Sequence, residues 1–251
     1  MKLLLPIIFS FFQINICVTA YAIETVTLSM HVRDRFPELI IDNNIFKGPL
    51  IEIIEVAGKN IGVKIEFIEA PFTRTLIDLE HGKVDLCPRF SKTPERELYA
   101  YFLGPISKIN KVVSFIVPKG EENIIKNYDD LKKYPIAVKR GTYYFEKFNN
   151  DNTIEKLYYK DDENMSLMFI NKRFKVMAIR DFLSLKKYFD KMTFTNYSIA
   201  LFKHEEYEDV YYAMSKKSSH VDLKDKLDKT LNKMRLDGEV KKIYDKYGIK
   251  E

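Results

Sequence analysis

The sequence predicts an α/β protein of two lobes with a cleft between them, and three observations carry that expectation. Short β-like runs alternate with amphipathic helical runs along the chain after residue 25. The alternation comes in two series of βα units of similar size. Extended apolar segments join the two series, in place of a Pro-, Gly- or Ser-rich linker. Clefts between α/β lobes are common ligand sites, because strand C-termini and helix N-termini converge there.

Residues 26–31 read as the first strand, and a polar, turn-rich stretch follows through Asp42-Asn43-Asn44. Pro49 opens a helix with Leu50, Ile53, Ile54 and Ala57 on one face, and Gly62 closes it. Residues 63–68 alternate apolar and charged, the pattern of a half-buried strand. Pro71 starts a second helix carrying Phe72, Leu76 and Leu79, and Gly82 stops it before a strand at 84–87. This β-α-β-α-β order favours a parallel sheet with right-handed crossovers.

The second series opens with a β run at 111–117 and a short helix at 128–132. A strand at 135–139 precedes a helix expected to begin at Gly141. Residues 164–170 and 181–189 read as helices around a strand at 175–179. Segments 198–202 and 210–214 are strand-like. Residues 221–247 form an amphipathic helical stretch that Gly238 breaks in two.

Composition narrows the classes. The formal net charge is +5 over 251 residues, and acids and bases are interspersed. No basic block marks a nucleic-acid surface. His31, His81, His204 and His220 are scattered with no ligand-pair spacing, so neither a metal nor another cofactor is expected. Lys2, an apolar run at 3–12 and the small residues of Ala20-Tyr21-Ala22 form the pattern of an export signal at 1–22, cleaved after Ala22. An uncleaved anchor is the alternative. Cys17 follows Asn15-Ile16 and so lacks the small neighbour that lipidation needs. Its loss with the leader leaves Cys87 alone, without a disulfide and most simply a buried thiol.

Four segments share a further pattern. They are Phe46-Lys47-Gly48-Pro49-Leu50-Ile51-Glu52; Gly62 through Phe67 with Pro71-Phe72-Thr73-Arg74; Gly82-Lys83-Val84-Asp85-Leu86 with Thr93-Pro94-Glu95-Arg96; and Gly238 through Tyr244. In these the chain resembles the family 3 extracellular solute-binding proteins, the polar amino-acid-binding type of ABC importers. The resemblance runs over nearly the whole chain after the leader, strongest at 48–105 and weak at 121–203. It implies the type II periplasmic binding protein fold, two α/β lobes joined by two hinge strands near 111–117 and 206–212. Lobe 1 would comprise 23–112 plus 208–251, and lobe 2 would comprise 113–207. It also implies a periplasmic monomer that closes on a small molecule.

The resemblance nominates ligand-binding residues. Arg96 is the first, since its planar fork matches a carboxylate bidentately and keeps its charge. Ser91 fits a loop hydroxyl at the same ligand end. Arg89 stands where the family often has a small or hydroxyl residue, and either a ligand contact or a pair with a surface acid suits it. Arg140-Gly141-Thr142 is similar to a Gly-Thr turn that offers backbone N–H groups and the Thr142 hydroxyl at a helix N-terminus. Tyr143 and Tyr144 replace smaller residues, and either a cleft wall or core packing suits them. Phe36 fits a flat apolar wall or the core. Similar amino-acid binders place an Asp after the 175–179 strand to hold an α-ammonium. Here Arg180 takes that place with Asp181 beside it, and which of the two faces the cleft stays open. Arg74, Arg89, Arg96, Arg140 and Arg180 are thus expected to converge, which favours an anionic ligand.

The expected partners are such a ligand and an inner-membrane ABC permease. Docking of the closed form on a sensory receptor is a second reading. A cyclohexadienyl-dehydratase-like enzyme is a third, disfavoured because no poised acid–base pair is visible. No further domain is expected after Glu251.

Overall fold

The protein is described by a computed structural model over residues 25–249. The expected leader and its cleavage site lie outside the described residues. Strand β1 (Thr27–Val32) is followed by a small antiparallel hairpin of β2 (Ile40–Asp42) and β3 (Ile45–Lys47). Asn43 and Asn44 turn it with φ of 47° and 61°, the left-handed pair that a two-residue hairpin loop demands. This stretch reads as a polar turn in sequence; the short apolar flanks Ile40, Ile41 and Phe46 make it a hairpin.

Helix α1 (Pro49–Ile61) buries Leu50, Ile53, Ile54 and Ala57 and ends at Gly62. It leads into β4 (Lys64–Glu69), which pairs parallel to β1. Helix α2 (Phe72–His81) has Pro71 as its N-cap and Gly82 as its C-cap. Gly82 cannot be replaced cheaply. Its φ is +72°, and an added Cβ would stand 2.4 Å from the Lys217 carbonyl oxygen. Strand β5 (Leu86–Cys87) is shorter than expected. The reason lies in Asp85, which accepts 2.8 Å bonds from the Ser29 N–H and hydroxyl and a 2.5 Å bond from the Ser218 hydroxyl. The Gly-Lys-Val-Asp stretch is therefore a structural clamp between β1 and the chain that follows the last strand.

After a single helical turn, α3 (Pro94–Glu97), strand β6 (Ala100–Pro118) begins. The second series comprises β7 (Ile136–Lys139), α4 (Glu146–Asn150), β8 (Lys156–Tyr159), α5 (Asp162–Ile170), β9 (Val176–Ile179) and α6 (Phe182–Lys191). Strand β10 (Tyr197–Ser215) then runs back, and α7 (Lys224–Leu236) and α8 (Glu239–Lys246) follow on either side of Gly238. The expected helix at Gly141 does not form until Glu146. Tyr144 and Phe145 are buried in the second core and hold the intervening chain extended. Strand β8 was not foreseen, because its two tyrosines and one lysine in four residues carry no clear alternation.

One eight-stranded sheet has the order β4-β1-β5-β10-β6-β9-β7-β8. Strands β1, β4 and β5 are parallel, as are β7, β8 and β9. Between the two triplets, β6 and β10 are 19 residues each and pair antiparallel from Ala100 opposite Ser215 to Pro118 opposite Tyr197. The apolar cores separate accordingly. One gathers Leu28, Ile54, Leu103, Tyr212 and Leu231 around α1, α7 and α8. On the other side, Val113, Phe115, Val138 and Phe148 pack on one face of the sheet and Ile116, Met177, Leu185 and Phe189 on the opposite face. Each core belongs to one lobe, and β6 and β10 pass through both. The Tyr212 hydroxyl, fully buried, donates to the Leu50 carbonyl at 2.6 Å and ties β10 to α1.

Candidate functional site

Parallel strands direct their C-terminal ends to the same edge of each lobe, and the two edges face each other. A cavity of about 280 Å³ lies between them. The first lobe supplies Arg33 to Arg35 after β1, Phe72 at the start of α2, and Arg89, Ser91 and Arg96 after β5. The second lobe supplies Thr142 and Tyr143 after β7, Asp161 and Asp162 after β8, and Arg180 and Asp181 after β9.

Arg96 is placed by its own short helix. The Thr93 hydroxyl accepts a 3.3 Å bond from the Arg96 N–H, and Pro94 occupies the first helical turn. The side chain is buried between Phe90, whose ring centroid is 4.5 Å from its guanidinium carbon, and Phe72 at 5.4 Å. Its two terminal nitrogens donate to the Ser91 carbonyl and, across the cleft, to the Gly141 carbonyl, each at 2.9 Å. Burial holds its pKa below the usual arginine value. Gly141 is needed for that approach. Its φ is +74°, and an added Cβ would lie 2.8 Å from Leu76 Cδ1 of α2.

Arg180 answers from the second lobe. Its guanidinium donates to the Ser91 hydroxyl at 3.0 Å, the Tyr143 carbonyl at 2.8 Å and the Glu208 carboxylate at 2.6 Å. Burial lowers its pKa, Glu208 opposes the shift, and Arg35 and Arg96 add to it. Glu208 itself sits on β10. Burial pushes its carboxyl up, but Arg180 and Lys111 outweigh that and hold it below the ordinary glutamate range. Lys111, almost fully buried on β6, donates to Glu206 at 2.6 Å and stands 3.7 Å from Glu208. A chain of alternating charges thus joins the cleft to the paired long strands.

Arg89 lines the cavity with φ of 48° and pairs with the buried Glu38. Burial, then the neighbouring Arg35 and Arg180, drive its pKa well down. Arg33 lies over the Phe72 ring at 4.1 Å, and burial lowers its pKa to about 10. At the mouth, Lys187 of α6 donates to Asp34 at 2.5 Å, a second ionic bridge between lobes.

Asp181 also lines the cavity, but its carboxylate accepts the Ser184 N–H at 3.3 Å as the N-cap of α6. Arg180 and Asp181 therefore both reach the cleft wall, with Arg180 carrying the inter-lobe bond. Tyr143 is half-buried on the wall, its ring 5.1 Å from the Lys111 ammonium. Thr142 is present too, but at a turn and not at a helix N-terminus, so no helix dipole backs it.

Three expected residues are not brought to this cavity. Arg74 is turned along α2 by an i,i+4 pair with Asp78 at 2.5 Å, and its side chain is 57% exposed. Phe36 is exposed on the loop after β1. Arg140 is exposed beyond the end of β7. Arg33, Arg35, Glu38, Lys111 and Glu208 were missed in the sequence. The rule that strand C-termini line the cleft points to Arg33 and Arg35, which follow β1 directly; the other three carry no local signal. No group of three or more His, Cys, Asp or Glu among the described residues is set to hold a metal, and no described helix is long and apolar enough to cross a membrane.

Comparison with known proteins is consistent across sequence and structure. The family model of bacterial extracellular solute-binding proteins, family 3, matches residues 28–250. A curated relative, the probable amino-acid-binding protein YxeM of Bacillus subtilis, is 24% identical over 224 residues, covering 84% of this chain and 80% of its own. Among solved structures, an ancestral arginine-binding protein bound to arginine superposes with a TM-score of 0.70 at 24% identity, covering 88% of this chain and 97% of its own. The solute receptor for L-cysteine of Neisseria gonorrhoeae gives 0.69 at 22%, covering 88% and 89%. At such identities the structural likeness is one of fold.

Proposed function

The chain belongs to the bacterial extracellular solute-binding proteins of family 3, and from that premise we propose that it captures a small carboxylate-bearing solute between its lobes for an inner-membrane ABC permease. In this reading residues 1–22 direct export to the periplasm and are removed. Residues 23–112 with 208–251 form one jaw, and 113–207 form the other.

The observation that carries the reading is the reach of Arg96 across the cleft to the Gly141 carbonyl. A permanently charged fork from one lobe meets the backbone of the other at a cavity, so closure and ligand capture involve the same side chain. A guanidinium carries five N–H donors, and the Ser91 and Gly141 carbonyls take two of them. The remaining donors suit a carboxylate, as do the other arginines of the lining. Two of the cavity's acids support binding over catalysis: Asp162 and Asp34 are held by Lys139 and Lys187, each at 2.5 Å, and so are not set as general acids.

Native mass spectrometry of freshly purified protein, followed by calorimetry with the co-purifying molecule, tests the proposal. A bound carboxylate released by mild denaturation and lost in Arg96→Ala is the expected result. Full affinity in Arg96→Ala would overturn it.

A further inference from the structure

We propose that the cleft contains two separate anion seats, one at Arg96 and Arg33 and the other at Arg35 and Arg89, so that the ligand is a short dicarboxylate without an ammonium group. The inference rests on the capture reading above and narrows its substrate class.

The first seat is the pair of guanidiniums that flank Phe72, at 5.4 and 4.1 Å from its ring. The second is argued from donors left over. Arg35 and Arg89 line the same cavity, and the Nε atom of each is buried without a hydrogen-bond partner among the described residues. A buried N–H with no acceptor is unfavourable, and two in one cavity mark a place where acceptor atoms belong. Glu38 serves Arg89 from behind, and Glu208 serves Arg180.

Three of the acids that line the cavity are already engaged: Asp162 holds Lys139, one oxygen of Asp34 holds Lys187, and Asp181 caps α6. The place after β9 carries Arg180. An α-ammonium entering between Arg35, Arg89 and Arg180 meets three like charges, whereas a carboxylate there accepts the orphaned N–H groups. The cavity, about 280 Å³, lies at the small end of ligand sites, which run from roughly 300 Å³ upward. That limits the spacer between the two acids to a short chain.

The test uses the purified chain with succinate, glutarate, butyrate, L-glutamate, L-glutamine, L-arginine and inorganic phosphate in thermal-shift and calorimetric titrations. Succinate or glutarate is expected to bind at least tenfold tighter than butyrate, and glutarate tighter than L-glutamate, which adds an ammonium to it. Arg35→Gln and Arg89→Gln should each reduce the preference for the dicarboxylate over butyrate to about onefold. If either variant fails to fold, Arg35→Lys and Arg89→Lys keep the charge and move the donor, and the same loss of selectivity is expected. Unchanged selectivity in the folded variants overturns the proposal. Tighter binding of L-glutamine, L-arginine or L-glutamate than of either dicarboxylate overturns it and leaves the capture reading standing. Phosphate binding as tightly as the dicarboxylates means a single polyanion seat and also overturns it. Silence from every probe, with no co-purified molecule, overturns both.

Discussion

Arg180 and Glu208 meet at 2.6 Å, with side chains only 12% and 19% exposed, and so fasten the cleft wall after β9 to strand β10. Breaking one side of a buried pair leaves the other charge uncompensated. Glu208→Gln is therefore expected to destabilise the fold by about 2–4 kcal/mol, read as a lower urea midpoint with unchanged slope. Loss within experimental error would mean that Arg180 finds another acceptor.

The same carboxylate sets a pH dependence. Glu208 and Glu206 are both held below the usual 4.5 in the folded chain, in each case because cation contacts outweigh burial. A depressed acid contributes stability that is fully present above its unfolded pKa and is lost as pH falls through the folded one. The thermal midpoint should hold steady above about pH 5 and decline below about 4.5. In Glu208→Gln the decline should be shallower; parallel acid limbs would disprove this assignment.

Gly141 offers a test of closure separate from charge. Gly141→Ala places a Cβ against Leu76 across the cleft and strains a φ of +74°. Ligand affinity should fall about tenfold or more, equivalent to about 1.4 kcal/mol, with a stability loss of about 1 kcal/mol from the backbone. Adding Leu76→Ala should restore part of the affinity and none of the backbone loss. Calorimetry and urea unfolding separate the two.

The Lys187–Asp34 bridge at the mouth is half solvated, with side chains 55% and 28% exposed. Such pairs contribute about 0–1 kcal/mol, so Asp34→Asn should weaken ligand binding at most about fivefold. The wild-type advantage should shrink as salt rises. A larger, salt-independent loss would place Asp34 in direct contact with the ligand.

Much of the architecture was readable because it is written in local chemistry. Pro49, Gly62, Pro71 and Gly82 bracket α1 and α2 where the sequence suggests. Thr93-Pro94 announces the turn that carries Arg96. The middle of β10 was not readable from residue pattern, since Lys203 to Asp209 is charged or polar at every position but Tyr207, and only the family resemblance implied a hinge strand near 206–212. Its alternation appears only in three dimensions, where residues 204, 206 and 208 are the less exposed side of the strand. That is where Glu206 and Glu208 find Lys111. Arg74 misleads for the opposite reason: it stands beside the right motif, but a nearby Asp78 claims it. Side chains that depend on a distant partner leave no trace in spacing.

The two 19-residue strands give the molecule a mechanical property. They are not loose straps but one ribbon, hydrogen-bonded along its length, with register irregularities between Ile199 and Lys203 and between Val210 and Tyr212. In the proposed capture, a swing of the jaws would wring this ribbon about its long axis, as a torsion bar is wrung, and its relaxed twist is a property of backbone geometry. On that reading the gape would be set partly by strand residues outside the cavity lining, such as Tyr207, and their substitution should alter affinity more than the choice of ligand.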